Sequence, residues 1–177
     1  MAKLVKVAVG CGKRKYPGWA HLDLGDYPHL DYNCSVEDLP FKDNSVDVLY
    51  ASHVLSYFNR NSAKLILQEW KRVLKRGGKL YIAVPDFKAI SELYTNLDYP
   101  LHYFLGPLYG LMDLGGSEIY HRTVYDESSL GELLKSSGFN RVERYNPQKL
   151  IGKIDDHSLA KIDGFSISLN LRCAKWD

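Results

Sequence analysis

The chain opens on an apolar run, Leu4 to Val9, that is rich in β-branched residues and ends at a glycine turn. Such a run predicts a buried parallel strand, because a strand covered on both faces loses the polar alternation of a half-exposed one. Trp19 to Leu24 and Val46 to Ala51 are two further apolar stretches, one reached through Pro17-Gly18 and the other through Lys42-Asp-Asn-Ser45. From Ala63 the period changes. Ala63, Ile66, Leu67, Trp70, Val73 and Leu74 recur at helical spacing, with Asn61 or Ser62 as the cap and Gly77 as the stop. Gly78 to Val84 returns to a strand pattern closed by Pro85, and Asp86 then caps a helix whose apolar face is Phe87, Ile90, Leu93 and Leu97.

Asp126 begins another helix through Leu130, Leu133 and Leu134 that stops at Gly138, after which Arg141 to Tyr145 and Ser166 to Ala174 read as strands. Two last strands with no helix between them predict an antiparallel hairpin. The fold class is therefore α/β: a Rossmann-like, doubly wound, mostly parallel sheet with an antiparallel C-terminal hairpin. At 177 residues, with no internal repeat or linker, the chain is read as one domain over 1–177.

Composition narrows the function classes. Hydrophobic residues at 45% and charged residues at 25% exclude a disordered chain. A net charge of +2 is too small for a nucleic-acid-binding field, so no nucleic-acid partner is expected. Cys11, Cys34 and Cys173 form no Cys-x-x-Cys pair, and an odd count suits a reducing compartment, which gives a cytoplasmic expectation. Lys3 and Lys6 interrupt the N-terminal apolar run, which reads as a strand, not a signal peptide. Leu101 to Leu114 is apolar but short and holds Pro107, so it is read as facing protein, and no membrane span is expected.

The first chemical signal is the glycine pair Gly10 and Gly12 directly after the first strand. There a missing Cβ lets the backbone approach a ligand at the carboxyl end of the sheet. The motif is only Gly-x-Gly and also fits an ordinary turn. Asp23 at the end of the second strand adds to it, since a carboxylate there accepts hydrogen bonds from both ribose hydroxyls of an adenosine ligand; the alternative is a solvated surface aspartate. Only ten residues separate Gly12 from Asp23, so the first crossover helix must shrink to a turn or vanish.

With these residues the sequence resembles the class I S-adenosylmethionine-dependent methyltransferases, specifically the short type 11-like members associated with glycan biosynthesis. The resemblance lies in Val9-Gly-Cys-Gly12, Pro17-Gly-Trp-Ala-His-Leu-Asp23, Glu37-Asp-Leu-Pro-Phe41 with Asp43-Asn-Ser-Val-Asp47, Ala51-Ser-His-Val-Leu55, Trp70-Lys-Arg-Val-Leu-Lys-Arg-Gly-Gly-Lys-Leu80 and Val84-Pro-Asp86. It covers about the first half of the chain in order. It implies S-adenosylmethionine as cofactor: the methionine end over Gly10 and Gly12, the ribose on Asp23, the adenine beside Ser35, Val36 and Glu37, and His53 bordering the methyl group or the cofactor, with Cys11 and Ser52 among the cofactor-binding residues. Relatives commonly carry an acid where this chain has Ser35. They often read Leu-Glu-His-Phe where it has Leu55-Ser-Tyr-Phe58.

The implied reaction is O-methylation of a saccharide or other small acceptor. A sugar hydroxyl holds its proton at neutral pH, so a positioned base must remove it. The candidates are His121, His157 and His53, with Asp86, Asp113, Asp155 and Asp156 behind them. His121 is equally read as a structural hydrogen-bonding residue, and His157 either as a plain surface-loop residue or as a base that Asp155 or Asp156 orients. Residues 95–125 carry Tyr99, His102, Tyr103, Phe104, Tyr109 and Tyr120, an aromatic density that suits an acceptor-side insert, a hydrophobic cap or a homodimer surface.

Lys13-Arg-Lys15 reads as a solvated loop or as a contact to a cofactor carboxylate or an anionic acceptor. His21-x-Asp23 and His29-x-Asp31 are too loose a pattern for a required metal, and the chain lacks a phosphate-binding P-loop. Methylation at nitrogen or carbon of a small metabolite, or a non-catalytic cofactor-binding or assembly subunit, are the alternative functions.

Overall fold

The computed structural model describes residues 4–113 and 116–176, so Lys3 and Leu114 lie outside the described residues. The elements run β1 (Lys6–Val9), β2 (Ala20–Asp23), β3 (Tyr32–Asn33), β4 (Val46–Ser52), α1 (Arg60–Val73), β5 (Leu74–Pro85), α2 (Phe87–Asn96), α3 (His102–Tyr109), β6 (Met112–Asp113), β7 (Glu118–Ile119), α4 (Glu127–Ser136), β8 (Phe139–Arg144), α5 (Gln148–Ile151), β9 (Lys161–Ile162), β10 (Phe165–Ser166) and β11 (Ser168–Lys175). Seven strands form one sheet in the order β3-β2-β1-β4-β5-β11-β8. β1 to β5 are parallel, and β11 runs antiparallel to both β5 and β8. This is the expected α/β sheet.

The last two strands pair as expected, but not through a tight turn. Residues 145–167 lie between them and carry α5, a 3-10 turn at His157–Leu159 and the small β9–β10 pair. That segment has a physical task. One face of the sheet, with Val7, Val9, Leu49, Ala51, Leu80, Ile82, Leu169 and Leu171, is covered by Ile66, Leu67 and Trp70 of α1 and Leu130 and Leu134 of α4. The opposite face has Ala8, Val48, Tyr50 and Tyr81 to cover, and no helix follows β1, β2 or β3. Tyr16 and Trp19 from the glycine loop, with Leu150, Ile151, Ile154 and Leu159 from the 145–167 segment, cover it instead.

Local signals set most element ends, with two corrections. α1 is capped by Asn59, not Asn61 or Ser62: the Asn59 side chain accepts from the amides of both. The helix stops at Val73 instead of Gly77, because the chain leaves directly into the sheet. Val46 pairs with Leu74 and Val48 with Lys79, and the intervening bulge contains Gly77 at φ +74°. Asp86 and Asp126 cap α2 and α4 as expected. Ile90 and Leu93 of α2 are buried, joining Phe104, Ile162 and Ile167, whereas Phe87 and Leu97 are about half exposed, so half of the expected apolar face is free. In α3 only Phe104 is buried, which limits the protein-facing reading of this stretch to that residue. Among the described residues no helix is long and apolar enough to cross a membrane.

Candidate active site

The glycine turn is built by conformation and by close approach. Gly10 and Gly12 sit at φ +61° and +56°, where a side chain is strained, and a Cβ on Gly10 would run into the Val54 side chain. At Gly12 the same direction meets only the Arg14 guanidinium, at 4.0 Å. Gly12→Ala is therefore expected to cost only the backbone strain, about 1–2 kcal/mol. Gly10→Ala should cost that plus a steric clash, roughly 2–4 kcal/mol in all. Urea unfolding of the two variants checks the order; a larger loss at Gly12 would contradict it.

Asp23 is placed by the end of β2 and ties two loops together. Its Oδ2 accepts the Gly12 amide and its Oδ1 the Gly25 amide, both at 2.8 Å, and the residue is buried. A carboxylate has about four acceptor positions, so two backbone partners leave each oxygen able to take a further hydroxyl. Cys11 is buried, with its sulfur 3.8 Å from His29 Nε2; burial and the Asp23 charge push the thiol up to about 12, which keeps it protonated. Beyond β3, the Ser35 hydroxyl accepts the Glu37 amide at 3.2 Å, and the buried Val36 gives its carbonyl to the Trp70 indole at 2.9 Å. Val36 is thus anchored in the core, while Ser35 and Glu37 face outward beside it.

The His-x-Asp pairs resolve into structure. His21 Nε2 accepts the Tyr16 amide at 2.7 Å, so the proton sits on Nδ1, which faces Asp31 at 3.3 Å. Among the described residues no group of three or more His, Cys, Asp and Glu side chains is placed to hold a metal ion.

Two of the histidine candidates, His53 and His157, meet at the carboxyl end of β4, and His121 packs on Tyr57 in the turn that follows. His53 adopts φ +55°, donates its amide to the Ala83 carbonyl at 2.8 Å and sets Nε2 2.9 Å from the Ser168 hydroxyl. Its ring centroid is 5.4 Å from that of His157. Burial, with repulsion from His157, pulls the His53 imidazole down to about 3. His157 is held below its ordinary value by desolvation and by the Arg14 charge. His121 is lowered by burial, with a smaller push from the His157 charge. Its ring stands edge-on to Tyr57 at 4.5 Å and occupies the space a Gly110 Cβ would need. Its Nδ1 is buried without a partner.

Of the aspartates behind them, Asp156 belongs to the site. The residue is 3% exposed, and its carboxylate accepts from Tyr16 Oη at 2.5 Å, Tyr50 Oη at 2.7 Å, Ser52 Oγ at 2.6 Å and the Ser158 amide at 2.7 Å. Burial opposes its charge, but these four donors outweigh it and hold the carboxyl down to about 2. Asp156 does not touch the His157 ring; it fixes the chain that carries it and takes up the Ser52 hydroxyl. Asp155 offers its backbone carbonyl to Arg14. Asp86 caps α2 and faces Arg144, and Asp113 accepts the Gly116 amide, so neither joins the histidines through the contacts it makes. Tyr16, Tyr50 and Ser168 are the participants that sequence reasoning missed. Tyr50 and Ser52 are two apart on β4 and share a face, which is the one local sign of them.

Arg122 and Thr123, near the end of the 95–125 segment, are latched to the turn after β4. The Ser56 carbonyl accepts the amides of Arg122 and Thr123 at 2.7 and 3.2 Å, and the Thr123 hydroxyl donates to the Phe58 carbonyl at 2.9 Å.

Residues 7–82 match the methyltransferase domain family. Over its whole described length the chain is similar in fold to a S-adenosylmethionine-dependent methyltransferase of Methanosarcina mazei, with a TM-score of 0.61, 16% identity and coverage of 99% of this chain and 94% of that one. It is similar also to the 1,6-didemethyltoxoflavin-N1-methyltransferase of Burkholderia thailandensis, whose structure holds S-adenosylhomocysteine, with a TM-score of 0.58, 16% identity and coverage of 98% and 71%. A putative methyltransferase of Haloferax volcanii in complex with the Trm112 activator gives a TM-score of 0.58, 17% identity and coverage of 99% and 84%. An uncharacterized protein of Methanocaldococcus jannaschii is 33% identical over 107 residues, which span 60% of this chain and 44% of that protein. The fold is that of the S-adenosylmethionine-dependent methyltransferases, and the matched segment holds the glycine turn, Asp23 and His53.

Proposed function

We propose that the chain is a S-adenosylmethionine-dependent methyltransferase that acts on an oxygen of a saccharide or other small acceptor. The observation that carries the acceptor part is the meeting of His53 and His157 beside the glycine turn, with His121 on Tyr57 in the turn after β4, all three held below the ordinary imidazole value. An uncharged imidazole at neutral pH is ready to take a proton, which a hydroxyl acceptor requires and an amine does not. The bound cofactor supplies an electrophilic methyl group on a sulfonium, displaced in line. The protein's part is alignment: Asp23 fixes the ribose, the glycine turn lies against the methionine end, Ser35 and Glu37 flank the adenine, and the 95–125 segment with Tyr57 borders the acceptor side. His157, with one face free, receives the acceptor proton.

Calorimetry with S-adenosylhomocysteine tests the cofactor part. Binding in the micromolar range, about −8 kcal/mol, should be lost in Asp23→Ala. A thermal melt of the same variant is needed beside it, because Asp23 also holds the amides of Gly12 and Gly25. A folded variant that binds like the native chain would remove Asp23 from the site. For the acceptor, labelled product from glycans or nucleotide sugars supports the reading, and product only from protein or RNA sinks it.

A nitrogen acceptor is the second reading. It is favoured by the likeness to an N1-methyltransferase and by the low basicity of His53. Single replacements of His121 and His157 that both leave turnover intact would select it.

A further inference from the structure

A helix that follows the glycine turn in sheets of this kind presents free amides and a positive end to the anionic part of a ligand. Residues 10–19 form no such helix here. The structure puts Arg14 in that place. Lys13 and Lys15 are exposed, whereas Arg14 turns inward with its side chain 27% exposed. Its Nη1 is the nearest atom to the open face of Gly12, at 4.0 Å from where a Cβ would stand. Its Nε donates to the Asp155 carbonyl at 2.9 Å and lies 3.7 Å from the Asp156 carboxylate. Asp156 is itself fixed by Tyr16, Tyr50 and Ser52. The guanidinium is therefore held on a rigid anchor by one edge, and among the described residues neither terminal nitrogen has a protein acceptor. Its charge reaches the methyl end of the site, where it weighs on both His53 and His157.

We infer that Arg14 binds the α-carboxylate at the amino-acid end of S-adenosylmethionine, replacing the missing helix end with a fixed guanidinium. A planar fork with two free donors matches a carboxylate in a way that the two flanking lysines do not. The inference rests on the cofactor reading above and adds to it which residue recognises the cofactor's charge.

Two ligands separate this role from a structural one. S-adenosylhomocysteine carries the carboxylate; 5′-methylthioadenosine keeps the adenosine and the thioether but lacks the amino-acid end. In calorimetry, Arg14→Gln should weaken S-adenosylhomocysteine about tenfold to a hundredfold and 5′-methylthioadenosine by less than about twofold. Arg14→Lys, which keeps the charge without the fork, should fall between native and Arg14→Gln for the first ligand. Equal losses for both ligands, as a loosened pocket would give, or no loss for either, would overturn the inference while leaving the cofactor reading in place. A native chain that binds neither ligand overturns that reading and the inference with it.

Discussion

His157→Gln should lower methyl transfer to a hydroxyl acceptor by about a hundredfold to ten-thousandfold, with S-adenosylhomocysteine affinity unchanged. Among the three histidines, His53 is the weakest base: burial takes it to about 3, and its Nε2 already faces the Ser168 hydroxyl. His121 has its Nδ1 buried and its ring wedged against Tyr57 and Gly110. His157 is exposed on the same side and is carried on a turn that Asp156 holds in place. The base must be neutral to work, so the rate rises with pH through the His157 pKa and then levels. Because desolvation and the Arg14 charge hold that pKa below its ordinary value, the rise should be half complete at a lower pH than a free imidazole would give. A variant with native turnover, or a native profile still rising well above pH 7, would take the general base away from His157.

Much of this arrangement was legible because it is local. The apolar run before Gly10 and the helical period from Ala63 identify β1 and α1 on their own. Asp86 and Asp126 announce α2 and α4, and the short interval from Gly12 to Asp23 already requires the first crossover helix to shrink to a turn or vanish. The Asn59 cap was missed because three neighbouring residues, Asn59, Asn61 and Ser62, are all competent caps, and the choice depends on which of them leaves the helix in extended geometry.

The larger miss has a global cause. A sheet face that loses its crossover helix must still be covered. The cover comes from residues 145–167, far along the chain, so the final two strands cannot meet in a tight hairpin. The same displacement hides the centre of the site: Asp156 meets Tyr16, Tyr50 and Ser52 across 140, 106 and 104 residues of sequence. No periodicity or spacing reports contacts at that range. Asp156 could be suspected from its neighbour His157, but its partners could not.

Asp156→Ala should be severely destabilising. Removing the carboxylate leaves three hydroxyls and the Ser158 amide converging on an apolar methyl inside the protein, and unpaired buried donors cost more than the hydrogen bonds were worth. A loss of roughly 3–5 kcal/mol is expected, or about 6–20 °C in Tm for a domain of this length. Asp156→Asn retains one acceptor oxygen but turns an amide donor toward a cluster of donors, so it should lose less than the alanine variant and still a clear amount. The pH dependence separates charge from packing. The carboxyl is depressed from about 3.9 in the unfolded chain to about 2 in the folded protein, so its contribution is present in full above the unfolded value and disappears as pH falls through the folded one. That part is about 2–3 kcal/mol. Denaturation of the native chain should therefore show this portion of stability vanishing between about pH 4 and pH 2, while Asp156→Ala, lacking the group, loses correspondingly less over the same interval. The gap between the two proteins narrows in acid. Parallel curves would mean that folding leaves the Asp156 pKa unshifted, and that the four donors around it do not favour its charged form.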